Sequence, residues 1–330
     1  MASYIRRRKF LATLGGAAAA WPLGARAQQR ERMRRIGVLI NPAADDPEGQ
    51  GRLAAFLQAL ALLGWTVGQN VRIDYRWAAG DPDRARRGAA ELVALAPDVI
   101  LAATTPGVTA VQQATRTVPV VFVTVIDPVS AGFVSTLARP GGNTTGFALF
   151  EYGTSAKWLE LLKQIAPKVT RVAVVRDPTQ VSGTGQLAAI QAVAPSFGVE
   201  LRPVDVRDAG EIEIALTAFA RSANGGLIVT GSPGALTHRK LIIAQAAAHR
   251  LPAVYPFRYH VTDGGLISYG PESIDPYRRA ASYVDRILQG EKPADLPAQE
   301  PTKYELVINR SVSSEIIHKD QLVKEISTIG

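Results

Sequence analysis

The sequence contains no cysteine, which excludes disulfides, thiolate catalysis and cysteine-ligated metal sites. Its histidines, His238, His249, His260 and His318, fall in no H-E-x-x-H or clustered metal-ligand spacing. It has no G-x-S-x-G elbow and no G-x-x-x-x-G-K phosphate loop. "GGNTTG" (141 to 146) lacks dinucleotide-binding spacing and reads as a turn. No window beyond the N-terminal segment is long and apolar enough for a membrane span. These absences leave neither a metal nor a cofactor to expect.

Acidic residues are also missing from the first 27 positions, which carry five basic ones. "RRRKFLATLGGAAAAWPLGARAQQ" runs from a basic cluster through an almost uncharged stretch to Ala25-Arg26-Ala27, a small-x-small cleavage pattern. Residues 1–27 are therefore expected to be an export signal cleaved near Ala27, and "RRKFL" resembles the twin-arginine type. Removing those charges takes the formal net charge from +8 to +3. The basic balance is then a poor argument for nucleic-acid binding. A repressor reading fails too, because an export signal stands where a DNA-reading helix-turn-helix would precede the first lobe.

The remaining chain repeats one unit: a short Val/Ile-rich run, a small or polar elbow, then an amphipathic helix. "RIGVLIN" leads to Asp46, expected to cap a helix with Pro47 at its first position and Leu53, Phe56, Leu57, Leu60 and Leu63 on one face. "VRIDYRW", "DVILAAT" and "VPVVFVTVI" repeat the pattern, with a helix expected after each; "TTGFAL" closes the first lobe. The pattern restarts with a helix around Trp158, followed by "RVAVVRD", "ELRPVDV", "GGLIVTG", "LPAVYP" and "GGLISYG". Such alternation predicts an α/β fold of two Rossmann-like lobes with mostly parallel central sheets around a cleft. The first lobe is expected over residues 32–149 plus about 271–330, and the second over 150–270. Crossovers fall near 149–153 and 268–272, and "PTKYELVIN" is expected back in the first lobe.

Ligands of open α/β sheets lie beyond the carboxyl ends of the strands. The first lobe presents Asn41, Thr104, Thr105 and Asp127 there; the second presents Asp177, Ser232, Tyr255 and Tyr269. Hydroxyls and free helix N-terminal amides suit a carboxylate. Asp177 and the tyrosines suit an ammonium and an apolar or aromatic body. Each residue also has a plainer role: Asp127 and Asp177 precede prolines and fit helix caps, and Tyr255 fits core packing. Asp127 and Asp177 as acid and base of a hydrolase or lyase form a remote alternative.

Several stretches together carry a resemblance: T-P after "DVILAAT", "DPVSAGF", "ARPGGNTTG", "KWLELLKQIAPKVTRVAVV" and "ILQGEKPADLP". Over residues 33 to 309 the chain resembles the substrate-binding proteins of ABC importers in the tryptophan/tyrosine-transport-like family. The resemblance implies a two-lobed type I periplasmic-binding-protein-like fold, closing on a small molecule for an ABC permease in the inner membrane. It implies no enzyme activity and a periplasmic location, with no nucleic-acid partner; a monomer is expected because such lobes need no partner to bury their cores. A periplasmic binding protein serving a sensor is the alternative. The ligand implied is an amino acid or aromatic acid. "RDP" (176 to 178) and the aromatic "YPFRYHVTDGGLISYG" depart from the usual family pattern.

Overall fold

The computed structural model describes residues 33–206 and 208–311; the expected export signal, residues 1–27, and most of the tail after Asn309 lie outside them. The first sheet has order β2-β1-β3-β4-β5 and is parallel throughout. Its strands are β1 (Arg34–Ile40), β2 (Val71–Trp77), β3 (Val99–Ala103), β4 (Val120–Val125) and β5 (Thr144–Ala148). β1, β3, β4 and β5 are nearly or wholly buried, as strands covered by helices on both faces must be. One face packs on α1 (Pro47–Leu62), through Leu53, Phe56 and Leu60. The other packs on α2 (Pro82–Ala94) and α3 (Thr104–Ala114). Asp46 caps α1 as expected, its Oδ1 accepting from the N–H groups of Glu48 (3.0 Å) and Gly49 (3.1 Å).

The second sheet has order β11-β10-β9-β8-β6-β7. Its strands are β6 (Arg171–Arg176), β7 (Glu200–Asp205), β8 (Gly225–Val229), β9 (Ala253–Tyr255), β10 (Ile267–Pro271) and β11 (Tyr304–Ile308). α4 (Thr154–Ile165) and α5 (Val181–Val193) cover one face, with Trp158 wholly buried; α6 (Ala209–Ala220) covers the other. Between β8 and β9 the chain forms two helices, α7 (Pro233–Thr237) and α8 (Arg239–Ala248). A short α9 (Arg258–Thr262), inside the aromatic stretch, was not foreseen.

Two expectations need correction. β11 does not return to the first lobe: it pairs antiparallel with β10, from Ile267 opposite Ile308 to Pro271 opposite Tyr304. What does return is α10 (Asp275–Leu288), whose Tyr277, Ala280, Val284 and Ile287 join the core under α1. Gln299 then runs beside β5, its N–H donating to Gly146 O and its carbonyl accepting from Ala148 N–H, before the chain crosses a third time. Three strands of chain therefore connect the lobes, at 149–153, 272–274 and about 300–303. The second correction concerns the segment after β4, which is a run of turns and not a helix. Asp127 takes φ 48°, and Gly132 (φ 75°) and the Pro140-Gly141 corner leave no helical run between them.

One ion-pair relay joins the lobes away from the crossovers. The second carboxylate oxygen of Asp46 accepts from Arg239 Nη1 at 2.9 Å, while Arg239 Nε donates to Asp263 at 2.8 Å. Arg239, at the start of α8, is only 7% exposed. Burial alone would raise the Asp46 carboxyl, but the Gly49 N–H, Arg239 and the Glu48 N–H outweigh it and hold it below the usual 3.8. The inter-lobe contribution is thus fully present above pH 3.8 and is lost as pH falls through the depressed value.

Two predictions follow from the packing. A Cβ at Gly146 would lie 2.1 Å from the Phe122 carbonyl oxygen, in the backbone of the neighbouring strand. Gly146→Ala should cost at least about 3 kcal/mol, at the upper end of overpacking penalties, as read from the urea midpoint; an unchanged midpoint would contradict the register of β4 and β5. Arg239→Gln should enlarge the radius of gyration measured by small-angle X-ray scattering at pH 7. The wild-type protein should approach the same larger value as pH is lowered below 3.8 before it unfolds; superimposable scattering at pH 7 would show that the relay does not hold the lobes.

Candidate functional site

The strand order reverses between β1 and β3 in one sheet and between β6 and β8 in the other, and the carboxyl ends at both points open on the cleft. There the two lobes enclose a cavity with about 480 Å³ of free space, counted to its open mouth. Arg52, Thr104, Thr105 and Thr124 form its first-lobe wall. Ser182, Ser232, Phe257 and Tyr259 form the second, with Ile126, Leu149 and Ser273 on the crossover side.

The first-lobe wall carries backbone strain. Thr104 has φ 67° and Thr124 φ 55°, left-handed values that β-branched residues adopt at a cost on the order of 1–3 kcal/mol each. At Thr124 the register of β4 against β5 shifts between Val123 and Val125, which turns the threonine toward the cleft. Thr104 is 8% exposed, its Oγ1 is buried without a hydrogen-bond partner, and α3 begins there without a side-chain cap. A strained residue with an unanswered hydroxyl and uncapped helix amides is arranged for an external acceptor.

Arg52 is the charged residue of this lining. It lies on the buried face of α1 and is only 4% exposed. Its Nε and Nη2 both contact Glu48 Oε1 at 3.2 Å, and the same oxygen accepts from Ser273 Oγ at 2.6 Å. The guanidinium lies over the rings of Tyr259, 5.6 Å from its centroid, and Tyr277, at 6.0 Å. Tyr259 belongs to α9 of the second lobe, so this cation is sandwiched across the cleft.

The second-lobe wall is held from behind. Gln186 clasps Gly231 on both sides, its Nε2 donating to Gly231 O (2.9 Å) and its Oε1 accepting from Gly231 N–H (2.8 Å). Ser232 caps α7 by accepting from Ala235 N–H at 3.1 Å. Phe257, Tyr259, His260 and Tyr255 form a stack, with Tyr259 and His260 centroids 4.4 Å apart. Burial lowers His260 to about 3, so its ring is neutral, with Nδ1–H donating to Phe257 O at 3.3 Å. Burial raises the Tyr259 hydroxyl well above its ordinary value, so it too stays neutral.

Of the eight candidates from the sequence, the structure brings Thr104, Thr105 and Ser232 together on this cavity. The others stand outside its lining. Asn41 is buried with an unpartnered Nδ2, and its backbone carbonyl accepts from Gly80 N–H. Asp127 turns back on its own loop, accepting from Ser130 N–H at 2.9 Å and Ser130 Oγ at 2.7 Å. Asp177 does the same with Thr179, at 3.0 and 2.7 Å. Tyr255 is one layer too deep, in the core with 1% exposure, and the wall is built by Phe257 and Tyr259 a few residues on. Tyr269 stacks on Tyr304, and its carbonyl accepts from the Trp158 indole. Asp127 and Asp177 thus do not meet as an acid–base pair in the cavity. Arg52, Thr124, Ser182, Tyr259 and Ser273 were missed. Only Arg52 left a clear trace, as a charge interrupting the apolar stripe that runs from Gly49 through Leu53 and Phe56 to Leu60.

With this geometry in place, comparison with known proteins is informative. A family model described as ABC transporter substrate binding protein matches residues 40–327. A tyrosine-binding protein of Clostridioides difficile is 25% identical over 285 residues, 84% of this chain and 79% of that protein. The crystal structure of a conserved domain protein from Vibrio cholerae O1 biovar El Tor is 26% identical with a TM-score of 0.81, over 89% of this chain and 98% of its own. A Streptococcus pneumoniae domain in complex with L-Trp shares the fold at 23% identity and a TM-score of 0.80, over 88% and 98% of the two chains. The two-lobed type I fold read from the sequence is the fold of these structures. The match places the chain outside the cytoplasm, as a non-enzymatic partner of a membrane permease. The protein belongs to the ABC transporter substrate-binding protein family.

Proposed function

We propose that this protein is exported, closes its lobes on a small carboxylate-bearing ligand, an amino acid or an aromatic acid, and delivers it to the permease of an ABC importer. The observation that carries the ligand class is Arg52, a buried cation in the wall of the inter-lobe cavity. The ligand carboxylate lies at Arg52, with Thr104 Oγ1, which has no partner of its own, and the first N–H groups of α3, which no side chain caps, as further donors. Leu149, Ile126, Leu236 and Phe257 receive the apolar body. Thr105, Thr124, Ser182 and Ser232 offer hydroxyls around it. Asp127 and Asp177 act at one remove, by fixing the loops after β4 and β6. The names of the tyrosine-binding and tryptophan-bound relatives support an aromatic body. Because the wall comes from both lobes, the ligand stabilises the closed form in proportion to the contacts it makes only there.

Export follows the twin-arginine type of signal, with cleavage after Ala27. N-terminal sequencing of the protein from a periplasmic fraction should begin at Gln28; a start at Met1 would contradict the signal.

Hydrogen bonds to charged groups are worth about 1.5–3 kcal/mol, which corresponds to roughly 10- to 150-fold in affinity. Arg52→Gln should therefore weaken calorimetric affinity for a bound carboxylate by at least about tenfold while the far-ultraviolet circular dichroism is retained. Equal affinity in a folded variant would remove Arg52 from the site.

A further inference from the structure

We infer that the cavity selects monocarboxylates with an apolar or aromatic body and no α-amino group, so that the imported solutes are des-amino acids rather than zwitterionic amino acids. This rests on the carboxylate reading above and narrows it.

A zwitterion needs two kinds of partner, and the cavity supplies one. Arg52 is the single charged residue of its lining, and the rest are hydroxyls, a glycine and apolar or aromatic side chains. No Asp or Glu among the described residues lines it. The sequence offered Asp127 and Asp177 for an ammonium, but each carboxylate is turned onto its own loop, toward Ser130 and Thr179.

The outer part of the cleft, past Tyr259 and Ser273, does contain acids, yet each is already paired with an arginine. Glu48 meets Arg52, Asp263 meets Arg239, Glu305 meets Arg258 and Glu272 meets Arg278. Glu48, nearest the cavity, commits its Oε1 to Arg52 and Ser273 together. Asp46 is held by Arg239 and by the N-terminus of α1. An ammonium entering the closed cavity would lose its hydration and meet only hydroxyl and backbone acceptors in the lining, with Glu48 behind it already engaged by Arg52 and Ser273. Desolvating a cation without a compensating anion is strongly unfavourable. A carboxylate without that ammonium meets the Arg52 guanidinium, the unpartnered Thr104 hydroxyl and an apolar wall.

Matched pairs test this, because each differs only by the ammonium. Isothermal titration calorimetry of the exported protein would compare 3-phenylpropanoate with L-phenylalanine, 3-(4-hydroxyphenyl)propanoate with L-tyrosine, indole-3-propanoate with L-tryptophan, and 4-methylpentanoate with L-leucine. In at least one pair the des-amino acid should bind tenfold or more tighter than its amino acid, and 3-phenylpropanamide should not bind. Amino acids binding as tightly as or tighter than their counterparts would overturn the selectivity while leaving the carboxylate reading intact. Binding of 3-phenylpropanamide equal to that of 3-phenylpropanoate, or no binding by any member of either series, would overturn both.

Discussion

The cavity between the lobes is organised around the buried guanidinium of Arg52. A guanidinium at 4% exposure on the apolar side of a helix is unfavourable unless its surroundings answer it. They do so from three places: Glu48 one turn back on α1, Tyr277 from α10 of the same lobe, and Tyr259 from the opposite lobe. Ser273, on the second crossover, ties the carboxylate in place. Each lobe and a crossover segment thus contribute to stabilising Arg52, so its environment is complete only when the lobes approach. This links the chemistry of recognition to the geometry of closure, with few additional residues needed.

The same economy appears at Asp46. Its first oxygen satisfies the N-terminus of α1, the helix that carries Arg52, and its second reaches Arg239 across the cleft. The helix start, the ligand-side cation and the inter-lobe relay are therefore mechanically one unit. On the facing side the walls are rigid for a different reason. Gln186 holds Gly231 through both backbone groups, and Phe257 and Tyr259 rest on the His260–Tyr255 stack. Rigid walls that meet around a strained Thr104 preorganise the donors, which lowers the ordering cost of binding.

The fold was legible in the sequence because its signals are local and repeated. Val/Ile runs, Asp-Pro caps at Asp46 and Asp81 and helical apolar stripes mark where elements start and stop, and burial on two faces follows from them. The path of the tail was not legible. β11 and α10 each satisfy their own pattern in either lobe, and only long-range packing decides that Tyr277 and Val284 go one way while Leu306 and Ile308 go the other. The site was half legible for a related reason. Strand-end position pointed to Thr104, Thr105 and Ser232, which do line the cavity, but it does not report side-chain direction. Asp127 and Asp177 have short side chains and near hydroxyl partners, so their carboxylates satisfy themselves locally. Tyr255 lies within the buried end of β9, and the chain needs the unforeseen α9 to bring Tyr259 to the wall. The positive φ at Thr124 depends on a β-bulge that no residue pattern announces.

A crystal structure of the ligand-loaded protein would show whether a ligand carboxylate meets Arg52 inside the closed cleft. Ligand density is expected between the lobes, with its carboxylate within hydrogen-bonding distance of the Arg52 guanidinium and Thr104 Oγ1, and its body against Leu149 and Phe257. Density that places the carboxylate elsewhere, with Arg52 still engaged only by Glu48, would contradict that placement.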